Sequence, residues 1–160
     1  MSLSMVPRSK HEEINDKEKN HKRVEKGSKA RSAEKLKSSS SSVLAEIEIN
    51  QIVSKIDSLI TTKEVFLDPD LTLDRLARKA GIPARQISIS INQVYGRNVS
   101  QVINEYRIER AKQLLISTDN PITQIYFDSG FQTKSNFNRE FARVTQQTPS
   151  AFRRSQREHN

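Results

Sequence analysis

Lys134 and Asn138 stand four residues apart, with Arg139 beside the second. On a helix such a pair shares one face. A carboxamide donates and accepts in one plane, which matches the N6/N7 edge of adenine, and an ammonium donates to guanine O6/N7. The Arg139 guanidinium suits a phosphate oxygen. Amides at a helix start near Thr133 would suit another. The competing reading of these residues is a solvated polar helix face.

A second set, Arg85, Ser88 and Ile89, lies in and beside the stretch QISISIN (Gln86–Asn92). Alternating isoleucine and serine has the period of a half-buried strand. Yet no turn-bounded partner strand is nearby, and an isolated strand leaves its backbone unsatisfied. Read as a helix, the stretch gathers Ile87, Ile91, Val94 and Tyr95 on one side and stops at Gly96. The helix is the expected form, with Ser88 and Ile89 facing outward beside Arg85. Ile89 offers only van der Waals contact, most usefully to a thymine methyl. The alternative is an exposed apolar residue without a role.

The elements that must carry these residues are all helical by pattern. Ile49, Ile52, Val53, Ile56 and Ile60 give a first helix over about 43–62, with Ser42 as its cap. Leu73, Leu76, Ala77 and Ala80 line a second helix between Thr72 and Gly81. After QISISIN, Asn98 and Gln101 form a capping box for a long helix over about 99–116. Asn120 as cap and Pro121 at the first helical position open a fifth helix, which ends near Gly130. Phe137, Phe141 and Val144 mark a sixth, and Thr148-Pro149 opens a short last one.

The second and third helices repeat in the fifth and sixth. Leu76 and Ile125 each stand five residues before a turn glycine, Gly81 or Gly130. The next anchors are Ile87 and Ile91 in one copy, Phe137 and Phe141 in the other, with one more residue in the second turn. The pattern predicts two helix–turn–helix units, about 72–95 and 121–145, joined by the helix 99–116. In such a unit the first helix braces the second, whose outer face can enter a major groove about 12 Å wide.

Charge agrees. Residues 1–42 hold 11 Lys/Arg against 6 Asp/Glu, residues 43–74 hold 2 against 7, and residues 75–160 hold 14 against 6. Positive charge therefore returns in the half that carries the repeat, which suggests a polyanion, nucleic acid before membrane. Residues 1–42 lack aromatics and end in five serines, Ser38–Ser42, so they read as a disordered basic and Ser-rich tail or linker. That leaves 43–160 as one domain. With no cysteine there is no disulfide framework and no thiolate site. The three histidines, His11, His21 and His159, lie in the tail or at the end, where no folded site would orient them. No Walker loop or dinucleotide fingerprint is present. An enzyme is not expected, and neither is a cofactor or a metal.

DPDLTLDRLARKAGI (Asp68–Ile82), INQVYG, INEYRIERAKQLL (Ile103–Leu115) and SGFQTKSNFNREFARVTQQTPSAFR (Ser129–Arg153) resemble the DNA-binding domain of AraC/XylS-type transcription regulators over about 60–155. The resemblance implies two helix–turn–helix subdomains reading successive major-groove faces of one double-stranded DNA site. It places base-reading positions on Arg85, Ser88, Ile89, Lys134, Ser135 and Asn138, matches Arg139 to the family's common Arg of the second reading helix, and matches Arg107 to its linker-helix Arg. It also implies a bacterial, cytoplasmic, nucleoid-associated regulator acting with RNA polymerase, its DNA-binding unit monomeric, with no membrane insertion by this chain.

Four positions depart from the family pattern. Ile89 stands where Arg is frequent, Tyr126 where a small Ala is usual, Gln146 where Gly is usual at a helix end, and Pro83 in place of a Ser cap. Repacking around Tyr126 and a strained turn at Gln146 are expected. The stretch from about Lys29 to Asp70 is also similar to the linker of membrane-tethered members, which favours a piece of a longer protein. The alternative function is nonspecific or architectural nucleic-acid binding led by the N-terminal tail.

Overall fold

The computed structural model describes residues 29–160, with side chains from Lys37 onward. Helix α1 (Lys29–Lys63) leads through a 3-10 turn at Val65–Leu67 into α2 (Leu73–Ala80) and α3 (Ala84–Tyr95). Then come α4 (Val99–Ser117), α5 (Ile122–Asp128), α6 (Lys134–Thr145) and α7 (Pro149–Glu158). There is no strand among the described residues, so the fold is all-α and QISISIN is helical.

Two apolar cores form, one for each helix–turn–helix unit. The first gathers Val53, Ile56 and Ile60 of α1, Leu76 of α2, Ile87, Ile91 and Tyr95 of α3, and Val102, Ile103 and Tyr106 of α4. The second gathers Ile108, Ala111 and Leu115 of α4 with Ile125, Phe131, Phe137 and Phe141. Helix α4 therefore changes core between Tyr106 and Ile108. Its N-terminal half belongs to the first unit and its C-terminal half to the second.

Local chemistry sets the helix starts. Thr72, Thr133 and Thr148 each accept an N3 amide through Oγ1, from Arg75, Asn136 and Ala151. Asn98 and Gln101 form the full reciprocal capping box. Gly81 and Gly96 end α2 and α3 in the left-handed region, both at φ 66°.

Helix α1 differs from the expectation. It begins at Lys29 and not at Ser42, so residues 29–42, assigned above to a disordered tail, are helical, and the serine run lies inside the helix. The physical reason is propensity. Apart from Ser32, residues 29–37 are all Lys, Ala, Arg, Glu or Leu, which are strong helix formers, while serine costs only a few tenths of a kcal/mol more. A helix already nucleated by the core propagates through them. The expectation for residues 1–28 lies outside the described residues. A smaller difference is at α5. Pro121 is its cap, at ψ 152°, and Ile122 its first helical residue, so Asn120 lies one position outside.

Two of the departures are visible. Gln146 ends α6 at φ 59°, the strained left-handed turn expected of a side-chain-bearing residue there. Tyr126 is half-buried and stacks 6.2 Å from the Phe137 ring as part of the second core.

Candidate DNA interface

Helix α6 is anchored from beneath by rings. Phe137 lies 5.3 Å from Phe131 in an edge-to-face contact and 5.6 Å from Phe141, and Phe141 stacks edge-on against Phe152 of α7. That anchoring leaves Lys134, Ser135, Asn138 and Arg139 exposed. The Arg139 guanidinium donates to Asn136 Oδ1 at 2.8 Å and lies 3.7 Å from Glu140, yet its side chain stays 75% exposed. Two neighbours orient it while most of its donors face solvent. Thr133 is used as the cap of α6, so its hydroxyl already takes the Asn136 amide.

Helix α3 is held through Ile87, Ile91 and Tyr95, all buried. Arg85 is exposed, Ser88 is half-buried and Ile89 is 51% exposed. Ile89 does not stand alone. It lines an open groove with Gln86 and Ser90 of its own helix and with Ala45, Glu48, Ile49 and Ile52 of α1. Further along, Tyr95 Oη donates to Asp57 Oδ2 at 2.5 Å. Residues 45–52 of α1 thus meet residues 86–90 of α3, and Asp57 further along α1 meets Tyr95 further along α3. The two helices run in the same direction, and α1 flanks the outward side of α3.

The structure brings the predicted residues together in two groups, one per unit, each at the N-terminal part of a second helix. A set of charged residues went unnoticed in the sequence. Glu105 is buried and takes Arg97 Nη1 at 2.7 Å and Arg143 Nη1 at 3.2 Å. Burial lowers the Arg143 pKa, but its hydrogen bonds to Glu140 and Glu105 outweigh that and the net shift is upward. Arg107, matched above only by resemblance, is buried as well. Desolvation pulls its pKa down, and the nearby Asp68 charge opposes that pull. A charged residue inside an apolar stripe was the available signal for both.

Among the described residues no group of three or more His, Asp or Glu could hold a metal ion, and no helix is long and apolar enough to cross a membrane.

A helix-turn-helix domain model matches residues 76–155. An uncharacterized HTH-type transcriptional regulator of Staphylococcus aureus is 31% identical over 115 residues, which is 72% of this chain and 14% of that protein. The transcriptional regulator Rob of Salmonella typhimurium is 31% identical over 100 residues, 62% of this chain and 35% of Rob. The chain therefore spans only a minor part of the curated relatives it matches. A solved structure of a Chromobacterium violaceum transcriptional regulator, described as having an AraC-type DNA-binding domain, superposes with a TM-score of 0.59 at 26% identity. It covers 67% of this chain and 93% of that one. With its paired helix–turn–helix units on one linker helix, the chain belongs to the AraC-type helix-turn-helix family of transcription regulators.

Proposed function

We propose that this chain recognises a specific DNA sequence as a monomeric unit, placing the N-terminal parts of α3 and α6 in successive major grooves of one site. The observation that carries the reading is the duplication. In each unit a second helix buries one apolar side and presents an outer face with basic and polar residues, built from Arg85 and Ser88 with the apolar Ile89 on α3 and from Lys134, Ser135, Asn138 and Arg139 on α6. Lys134 and Asn138 carry base readout, Arg139 and the Thr133 helix start carry phosphate contact, and Ile89 carries an apolar contact to a thymine methyl. Action with RNA polymerase and association with the nucleoid are proposed from the likeness to AraC-type transcription regulators.

Selection of bound oligonucleotides from a random pool tests it. The expected consensus has two dissimilar half-sites whose centres lie one helical turn apart, about 10–10.5 bp. The opposite result is a pool without consensus, competed equally by shuffled DNA and no longer retained once residues 1–28 are removed. That outcome would assign the binding to the N-terminal segment as a nonspecific nucleic-acid binder.

A further inference from the structure

The two apolar cores share α4, and no apolar side chain belongs to both. A single helix passing between two cores would leave the second unit free to swivel about its axis. Glu105 and Arg107 stand at that crossover, two residues apart, so they project about 200° apart around the helix. Each ties the two units together, on nearly opposite sides of α4.

On one side the Glu105 carboxylate accepts from Arg97, in the turn that ends the first unit, and from Arg143 of α6. Arg143 also donates to Glu140 Oε2 at 3.0 Å, which holds it on its own helix. On the other side Arg107 Nε donates to the Phe66 carbonyl and an Nη donates to the Asp68 carbonyl, both at 2.8 Å. Its guanidinium carbon lies 5.7 Å over the Phe131 ring of the second unit. The same loop presses on the second unit directly. A Cβ added at Gly130 would lie 2.5 Å from the Phe66 carbonyl oxygen and 2.9 Å from the Leu67 Cα, so only glycine admits the contact. At the rim Gln132 Nε2 donates to Asp70 Oδ1 at 2.6 Å.

We infer that Glu105 and Arg107 are positioning residues for DNA recognition: two polar clamps on opposite sides of α4 fix the rotation between the reading helices and so dictate the half-site spacing the chain accepts. The inference rests on the two-groove reading above. Buried charges that meet several partners each have one low-energy arrangement, because a shifted partner leaves a desolvated charge unpaired. Apolar contacts of equal area would tolerate sliding.

The test uses the full chain and its selected site, with the half-sites at their native separation or one base pair further apart, a change of about a tenth of a turn. The unmodified chain is expected to lose affinity about tenfold or more on the insertion, the size of a mismatch-scale penalty. Arg107→Lys combined with Arg143→Lys keeps both charges but not the forked hydrogen bonds. If it folds with the wild-type circular dichroism spectrum, it is expected to show a ratio near one. A folded double variant that keeps the wild-type ratio would overturn the inference alone. An unmodified chain indifferent to spacing would overturn the two-groove reading and the inference with it.

A second variant does not depend on the clamps surviving substitution. Asp70 and Gln132 are exposed, and the chain has no cysteine, so Asp70→Cys with Gln132→Cys creates one addressable pair. Joining the two thiols with a short bismaleimide is expected to leave binding to the native spacing unchanged. A loss beyond tenfold on joining would mean that the units must swivel to bind, which contradicts the inference.

Discussion

Ile89 of α3 and Ile49 of α1 line one open groove, with Ile89 still half exposed. An apolar side chain in the N-terminal half of α3 is thus supported on one flank and open on the other. If its open side meets a thymine methyl, the pairing has a clean signature. Replacing that thymine by uracil, which lacks the methyl, is expected to weaken the unmodified chain by about 1 kcal/mol. The same change should leave Ile89→Ala unaffected. Equal losses for both proteins in a double-mutant cycle would leave Ile89 without the assigned contact.

Lys134 and Asn138 differ from Arg139 in what they are expected to read. Lys134→Ala and Asn138→Ala should each cost about 1–3 kcal/mol on the selected site and relax specificity at one base pair. Arg139, exposed but oriented by Asn136, should on substitution weaken all sequences alike and lower the salt slope by about one. Titrations against the selected site and single-base variants, at several salt concentrations, separate the two behaviours. Uniform losses from all three substitutions would contradict the roles.

Gln146 holds a left-handed conformation at φ 59° and recovers part of the cost by donating Nε2 to the Arg143 carbonyl at 3.1 Å. Glycine pays no Cβ penalty there. Gln146→Gly is expected to raise stability by up to about 1 kcal/mol, seen as a higher denaturation midpoint at unchanged slope. A lower midpoint would show that the carboxamide contact outweighs the strain.

Tyr106 supplies a pH dependence. Burial first, then the Asp57 carboxylate that its phenol meets at 3.4 Å, raise its pKa well above the ordinary tyrosine value of about 10. The folded state keeps this proton where the unfolded chain loses it. Its contribution is therefore complete below about pH 10 and declines as pH rises beyond that. Tyr106→Phe should flatten the alkaline loss of stability by at most about 1.4 kcal/mol per pH unit. Identical alkaline unfolding curves for the two proteins would remove Tyr106 from the account.

The helices of the repeat were legible because their signals are local: threonine and asparagine caps, turn glycines and apolar anchors at helical spacing, all confirmed at Thr72, Asn98, Gly81 and Phe137. The strand-like alternation of QISISIN gave way because α1, α2 and α4 bury one side of it as a helix, a tertiary effect that overrides β-propensity. The start of α1 was missed for the opposite reason. Polar composition argued for disorder, while propensity summed along 29–42 sustains a helix once the core has nucleated it. Ser135 came only from the family resemblance, while most of the candidate contact residues could be chosen from helix positions. The relation between the two faces could not, because it depends on Glu105, Arg107 and Gly130 meeting residues 38 to 64 positions away along the chain.

Methylation protection of guanine N7 on the selected duplex tests most directly whether α3 and α6 enter two grooves together. The account predicts two protected clusters in successive major grooves, centred about 10–10.5 bp apart on one face of the DNA. The α6-side cluster should disappear in Lys134→Ala/Asn138→Ala while the other remains. A single protected cluster, or none, would contradict it.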